Sequence, residues 1–206
     1  MEALLLATKV HFVGQIQQDS FKLPVEHFMI IPNTNPKINK TALTSNIGII
    51  GNINNPLKNI KEAIELAGKS DANEIHIWGS PNVKNDCKAT SIKVIFHNWC
   101  DNKSKIYNSF DILISLSKKE TFGMVVTEAM SAGIPCILSD IPAFREFKDC
   151  PGIKIVDHKS DDDTVSCLNH LLKEKNTLSE KIIAYWQKNY SEEVIYEKWS
   201  RFIDSL

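Results

Sequence analysis

The stretch Ser115-Leu-Ser-Lys-Lys-Glu120-Thr-Phe-Gly123-Met-Val-Val-Thr-Glu128-Ala-Met-Ser-Ala-Gly133-Ile-Pro135-Cys136 joins two short apolar runs, Ile112 to Leu116 and Cys136 to Leu138. Runs of three to five residues, all or nearly all apolar and bounded by turn residues, read as buried strands. The residues between them predict a turn holding Glu120 and Gly123, then a helix from about Met124 to Ala132 stopped by Gly133 and Pro135. Strand, turn, helix, strand is the repeating unit of a parallel sheet with helices on its faces.

The same alternation extends in both directions. Upstream, Ile47 to Gly51, Ile75 to Trp78 and Val94 to Phe96 read as strands, and Ile153 to Val156 does so downstream. Ile60, Ala63, Ile64 and Ala67 share one helical face, with Gly68 expected as the C′ residue that closes the helix. Six parallel strands follow from this count. Nearer the start, Val10 to Val13 is a strand, Gln15 to Phe21 a helix, and Phe28 to Ile31 a strand stopped by Pro32. Asn33 to Ser45 is polar and turn-rich, which predicts a linker. From Leu178 onward two helices are expected, the last with Val194, Ile195, Trp199, Phe202 and Ile203 as one apolar stripe. A strand-helix-strand piece of 32 residues cannot cover its own faces. It must dock on the main sheet, dock on another molecule, or belong to something longer.

Composition narrows the function classes. The 206 residues carry 24 Lys+Arg against 25 Asp+Glu, a formal charge of −1, with 43% apolar and 24% charged residues. That balance describes an ordinary globular domain. Only Arg145 and Arg201 are arginines, so nucleic acid is not expected as a partner. No apolar run nears the ~20 residues of a membrane span, and Ala3 to Ala7 lacks the basic flank of a secretory signal. Cys87, Cys100, Cys136, Cys150 and Cys167 are odd in number, without a CxxC pair, which predicts free thiols and a cytoplasmic location. His11, His27, His76, His97, His158 and His170 show no ligand spacing, so no metal is expected. The eight glycines form neither G-x-G-x-x-G nor a Walker A loop. Asp161-Asp162-Asp163 after Ser160 reads as a helix start, and Ser115-x-x-Lys118 as a chance match to the Ser-Lys hydrolase pattern.

In open parallel sheets, ligands lie beyond the carboxyl ends of the strands, where helix N-termini offer free N–H groups. Glu120 before the helix and Glu128 in its second turn would flank such an N-terminus. Carboxylates accept hydrogen bonds from hydroxyls and repel phosphates. The matching ligand has hydroxyls at both ends and an anion between, resting on the N–H groups of Phe122 to Val125. A nucleoside diphosphate sugar has that layout.

Glu120-Thr-Phe-Gly-Met-Val-Val-Thr-Glu128, with Ala129-Met130, Gly133-Ile-Pro135 and Ser139-Asp140-Ile-Pro142-Ala-Phe-Arg145-Glu146, resembles the E-x7-E signature of the retaining GT-B glycosyltransferases of family 4. Ile30-Ile-Pro32-Asn33, Ile49-Ile-Gly51, Ile75-His-Ile-Trp-Gly79 and Phe110-Asp111-Ile-Leu-Ile-Ser115 are similar to further stretches of that family. The resemblance covers only the C-terminal, donor-binding half of such an enzyme. It implies an α/β fold, a Rossmann-like doubly wound parallel sheet forming one GT-B half. Residues 1–32 are then a remnant of the N-terminal acceptor domain, 33–45 a linker, 46–185 the donor domain and 186–206 C-terminal crossover helices.

The resemblance also implies roles. Glu120 would touch the donor sugar's hydroxyls and Glu128 the ribose, while Phe122, Gly123, Met124 and Val125 hold sugar and phosphate through the backbone. Lys58 would neutralise the departing diphosphate, making Glu120 and Lys58 the catalytic pair. Gly51, Asn52, Gly79 and His97, in the segment Phe96-His-Asn-Trp99, would complete the nucleotide-sugar site, with Trp99 open to either a site or a core reading. Glu146 is expected to brace a helix. Asn52 stands where the family has an arginine, and losing one phosphate cation costs on the order of 10²–10³ in rate. The implied reaction is retaining hexosyl transfer from a UDP- or GDP-sugar, with no cofactor, to a glycan or lipid-linked acceptor in surface polysaccharide or lipopolysaccharide assembly. Peripheral membrane proximity would go with such an acceptor. The alternative is a non-catalytic nucleotide-sugar-binding module, or an inactive remnant, that needs a separate acceptor-domain chain. A nucleotide-sugar epimerase shares the architecture but needs both domains. The stripe near the C-terminus and the stranded N-terminal piece, both lacking a partner, imply self-association.

Overall fold

The computed structural model describes residues 7–21, 24–79, 90–157 and 161–206. Cys87, His158, Ser160 and most of the apolar stretch at 3–7 lie outside them. Six strands form one parallel sheet: β3 (Ile47–Ile50), β4 (Glu74–Trp78), β5 (Lys93–His97), β6 (Ile112–Ser115), β7 (Cys136–Ser139) and β8 (Ile153–Val156). Their order is β5-β4-β3-β6-β7-β8, so the chain steps outward from β3 to one edge, returns to β6 and steps outward to the other. The doubly wound α/β reading is correct, and the order reverses between β3 and β6, which pair through Ile47 with Ile112 and Gly48 with Leu113.

Strand alternation divides the core into two layers. Ile112 and Ile114 of β6 and Ile137 of β7 face a cluster with Ile47, Ile49, Ile75, Ile77 and α2 (Ile60–Ala67). Leu113, Cys136 and Leu138 face the opposite cluster, with Phe110, Phe144, Phe147 and α4 (Met124–Ser131). Between β5 and β6 lies the short α3 (Lys103–Tyr107), and after β7 the single-turn α5 (Pro142–Arg145). Apolar side chains on both faces of every central strand are what a sheet covered by helices on both sides requires.

Gly68 caps α2 in a right-handed conformation, φ −65°; a Cβ there would meet Thr90 at 2.5 Å, so space rather than handedness calls for glycine. Two local expectations are corrected. No break occurs near Leu178: α6 (Asp161–Tyr190) is one 30-residue helix, and only Ser191 separates it from α7 (Glu192–Asp204). The Ser191 hydroxyl accepts from Val194 N–H as the N-cap of α7.

The second correction concerns the stripe. The first residues form a separate two-stranded parallel sheet, β1 (Val10–Phe12) and β2 (Phe28–Ile30), joined by α1 (Gln15–Phe21). Ile195 and Phe202 of α7 are buried against Ile31, with Met29 and Trp199 packed around them. The stripe and the N-terminal piece are thus each other's partners, although Tyr196 and Ile203 stay exposed. Self-association therefore loses the premise on which it was expected. Glu146 secures the other side of the piece by accepting from Ile16 N–H at the start of α1, 3.4 Å away. Gly14 leaves room for that carboxylate, which a Cβ there would push aside. Among the described residues no helix is long and apolar enough to cross a membrane.

Candidate functional site

Lys58 and Glu120 reach one another from opposite sides of the strand-order reversal. The chain leaves β3 through Gly51, makes an Asn55-capped turn of 3-10 helix (Pro56–Lys58), and presents Lys58. From β6 it runs through Leu116 and Ser117 to Glu120. The Lys58 ammonium stands 2.5 Å from Glu120 Oε1, and Ser117 donates its hydroxyl to the same oxygen at 2.8 Å. Lys118 N–H, bonded to Leu57 C=O at 2.8 Å, ties the two loops together.

This pair opens on a cavity of about 240 Å³ lined by Asn33, Lys58, Glu120, Thr121, Phe122, Gly123, Met124 and Val125. Its floor is the start of α4. Gly123 is the N-cap at φ 106°, in the left-handed region, and a Cβ there would press to 2.9 Å from Phe144. Glycine brings the first-turn N–H groups of Met124 and Val125, which have no carbonyl four residues back within the helix, to the cavity wall. An ammonium, a helix N-terminus and a carboxylate that accepts hydroxyls are the complement of a polyol bearing an anion. The Phe122 ring is buried, packed against Phe147 and Tyr190.

Other sequence-predicted residues sit at the same edge of the sheet without lining the cavity. Gly51 and Gly79 lie beside each other after β3 and β4, and Gly51 N–H bonds Trp78 C=O at 2.8 Å. Asn52 is exposed, its Oδ1 accepting from Asn54 N–H at 2.9 Å, so it shapes its own turn rather than the cavity. His97 ends β5 with its ring 3.9 Å from that of Trp78 and nearly parallel to it, and 3.0 Å from His76 between ring nitrogens. Burial, then the neighbouring His76 and Lys105, holds the His97 imidazole below its ordinary pKa. Trp99 is 78% exposed, which settles against the core reading.

Glu128 does not lie on the cavity wall. It is 7% exposed, one turn inside α4, where Tyr107 donates to its Oε2 at 2.6 Å and Lys103 stands 2.9 Å from Oε1. Tyr107 is fully buried, and burial together with that carboxylate pushes its phenol well above the ordinary range. Asn33, Ser117, Lys103 and Tyr107 were missed as site residues. Asn33 closed a recognised strand-stop and carried no chemical pattern of its own. Nothing local marks Tyr107 or Lys103, because their partner is more than twenty residues away.

The family model described as "Glycosyl transferases group 1" matches residues 34–189. Among curated proteins the chain is 27% identical over 127 residues to the O-antigen biosynthesis glycosyltransferase WclY of Escherichia coli, covering 61% of this chain and 36% of that protein. It is 42% identical over 45 residues to the N-acetyl-alpha-D-glucosaminyl L-malate synthase of Bacillus anthracis, covering 22% of this chain and 12% of that protein. Among solved structures, Anabaena HepE in complex with UDP-glucose superposes with a TM-score of 0.80 at 15% identity, covering 97% of this chain and 64% of that one. A TarM variant of S. aureus in complex with UDP and α-GlcNAc-glycerol gives 0.76 at 22% identity, covering 97% and 44%. The chain thus spans about a third of the length of WclY and less than two thirds of these structures.

Proposed function

The chain belongs to the group 1 glycosyl transferases, and on that premise we propose that it is the donor-binding half of a glycosyltransferase that moves a hexosyl group, with retention, from a nucleotide sugar to a glycan or lipid-linked acceptor in surface polysaccharide assembly. The observation that carries this reading is the Lys58–Glu120 pair facing the open N-terminus of α4 at the strand-order reversal. Resemblance to the O-antigen biosynthesis glycosyltransferase WclY supports the acceptor class.

In this reading the donor's diphosphate lies on the N–H groups of Met124 and Val125, and its charge draws Lys58 away from Glu120. Glu120, so released, accepts hydrogen bonds from the hexose hydroxyls. As the bond from the anomeric carbon to the phosphate oxygen breaks, its electron pair stays on the diphosphate oxygen, where Lys58 and the helix end stabilise it; the acceptor hydroxyl oxygen forms the new bond to the anomeric carbon on the same face, its proton passing to that diphosphate oxygen. Glu128 accepts from the ribose hydroxyls once Lys103 swings aside, while Tyr107 keeps the carboxylate in place. With Asn52 turned into its own loop, one phosphate cation fewer is present. That observation favours a second reading, a binding module that turns over slowly or only beside a separate acceptor-domain chain.

Calorimetric titration with UDP, GDP, ADP and their glucose conjugates tests the donor site. Binding of one base series, lost in Glu128→Ala, is the expected result; no heat with any of them overturns it. Transfer assayed with the same donors separates enzyme from module.

A further inference from the structure

A second cavity of about 330 Å³ adjoins the first and belongs to no site described so far. Its wall includes His11 of β1, Ile195 and Trp199 of α7, and Thr34 of the linker; Asn33 and Met124 line both cavities. The His11 and Trp199 rings stand 4.6 Å apart at 59°, forming an aromatic corner, with His11 exposed and Trp199 half-buried.

We propose that this cavity is the subsite for a neutral pyranose ring of the acceptor, an inference that rests on the donor-site reading above. Four observations carry it. Among the described residues no Lys, Arg, Asp or Glu lines the cavity, so it suits an uncharged ligand rather than a phosphate or an acid. Aromatic faces carry negative charge density that attracts the polarised C–H face of a sugar ring, and a corner of two rings suits one ring edge. Its volume lies at the lower end of the ~300–1,000 Å³ of ligand pockets. Asn33, exposed and common to both cavities, supplies an amide donor and acceptor where a hydroxyl would approach the donor sugar. The corner exists only because α7 lies on the β1-β2 piece. The crossover helix therefore builds part of the site instead of merely tying the chain together.

Saturation-transfer NMR with methyl glycosides of glucose, galactose and N-acetylglucosamine, each with and without UDP, tests the proposal. UDP resonances report the donor site separately. At least one glycoside should show ring-proton contact that UDP does not compete away. His11→Ala and Trp199→Ala should each reduce that contact at least fivefold, Trp199→Phe should retain most of it, and UDP binding should change less than twofold in His11→Ala. Since Trp199 also packs on Ile31, the exposed His11 is the variant that disturbs the packing less, and a melting curve for each variant separates lost packing from lost sugar contact. Contact that UDP displaces, contact unchanged in His11→Ala, or no contact in the wild type at millimolar glycoside overturns the subsite. Absence of UDP binding alone overturns the donor reading and leaves the glycoside result to judge the subsite.

Discussion

Lys58 Nζ and Glu120 Oε1 meet at 2.5 Å between the loops that follow β3 and β6, so the site holds a cation and an anion in contact. Each partner is more than a tenth exposed. Such a pair is easily exchanged: a diphosphate competes for the lysine, and sugar hydroxyls for the glutamate.

Lys58→Ala should therefore weaken UDP by ~10–100-fold, the worth of a charge-assisted contact of ~1.5–3 kcal/mol. Glu120→Ala should leave UDP unchanged or tighter, because the ammonium is freed, while UDP-glucose loses its advantage over UDP. Calorimetry with the two ligands measures both effects. Equal weakening of UDP and UDP-glucose in Glu120→Ala would remove the assigned division of labour.

Tyr107→Phe deletes the hydroxyl that donates to Glu128 and leaves a buried carboxylate short of a partner. A loss of ~1–3 kcal/mol in urea unfolding is expected. Nucleoside affinity should fall with it, whereas Lys103→Met, at the exposed partner, should cost little stability and spare or improve nucleoside binding.

Asp111, with its side chain 1% exposed, joins the linker to the domain. It holds Lys40 at 2.8 Å and Lys175 at 2.7 Å, and accepts from the N–H groups of Thr44 and Ser45. Burial alone would raise its carboxyl pKa, but Lys175, Lys40 and the two backbone donors bring it below the usual carboxylate range. Because the folded value is depressed, this stabilisation is full above the ordinary value of 3.8 and is lost as pH falls through the depressed one. Asp111→Asn strands two nearly buried ammonium groups and should cost ~3–5 kcal/mol at pH 7, read by denaturant unfolding.

Glu146 behaves in the opposite sense. Burial raises its carboxyl above the ordinary 4.5, outweighing the N–H groups of Ile16 and Gln15 that lower it. A raised folded value means that the favourable contribution is present below the ordinary value and is lost as pH rises through the raised one. Glu146→Gln should thus melt at least as high as wild type at pH 7, with the difference shrinking toward pH 4. A lower melting temperature at pH 7 would show that the anion is needed at the start of α1.

The strands and their order along the chain were legible because their signals are local. Ile47 to Ile50, Ile112 to Ser115 and Cys136 to Ser139 are continuous apolar runs between turn residues, and Gly123 before Met124 marks a helix start with no knowledge of the fold. The uninterrupted α6 was not legible past Leu178, where the apolar spacing of its second half is weaker than the packing of Ile182 and Trp186 on the core.

Local periodicity could thus specify a parallel sheet with helices on its faces and a glycine-capped helix with Glu120 ahead of it, while the doubly wound order and the part played by Lys58 came from the family resemblance. Which groups face each other was settled by folding, because each contact joins residues far apart in the chain. The β3-β6 reversal is what sets Lys58 on Glu120. The packing of α3 on α4 sets Tyr107 on Glu128, and the seating of α7 on β2 draws His11 and Trp199 into one wall. Such pairings depend on strand order and helix docking, which a residue's near neighbours do not encode.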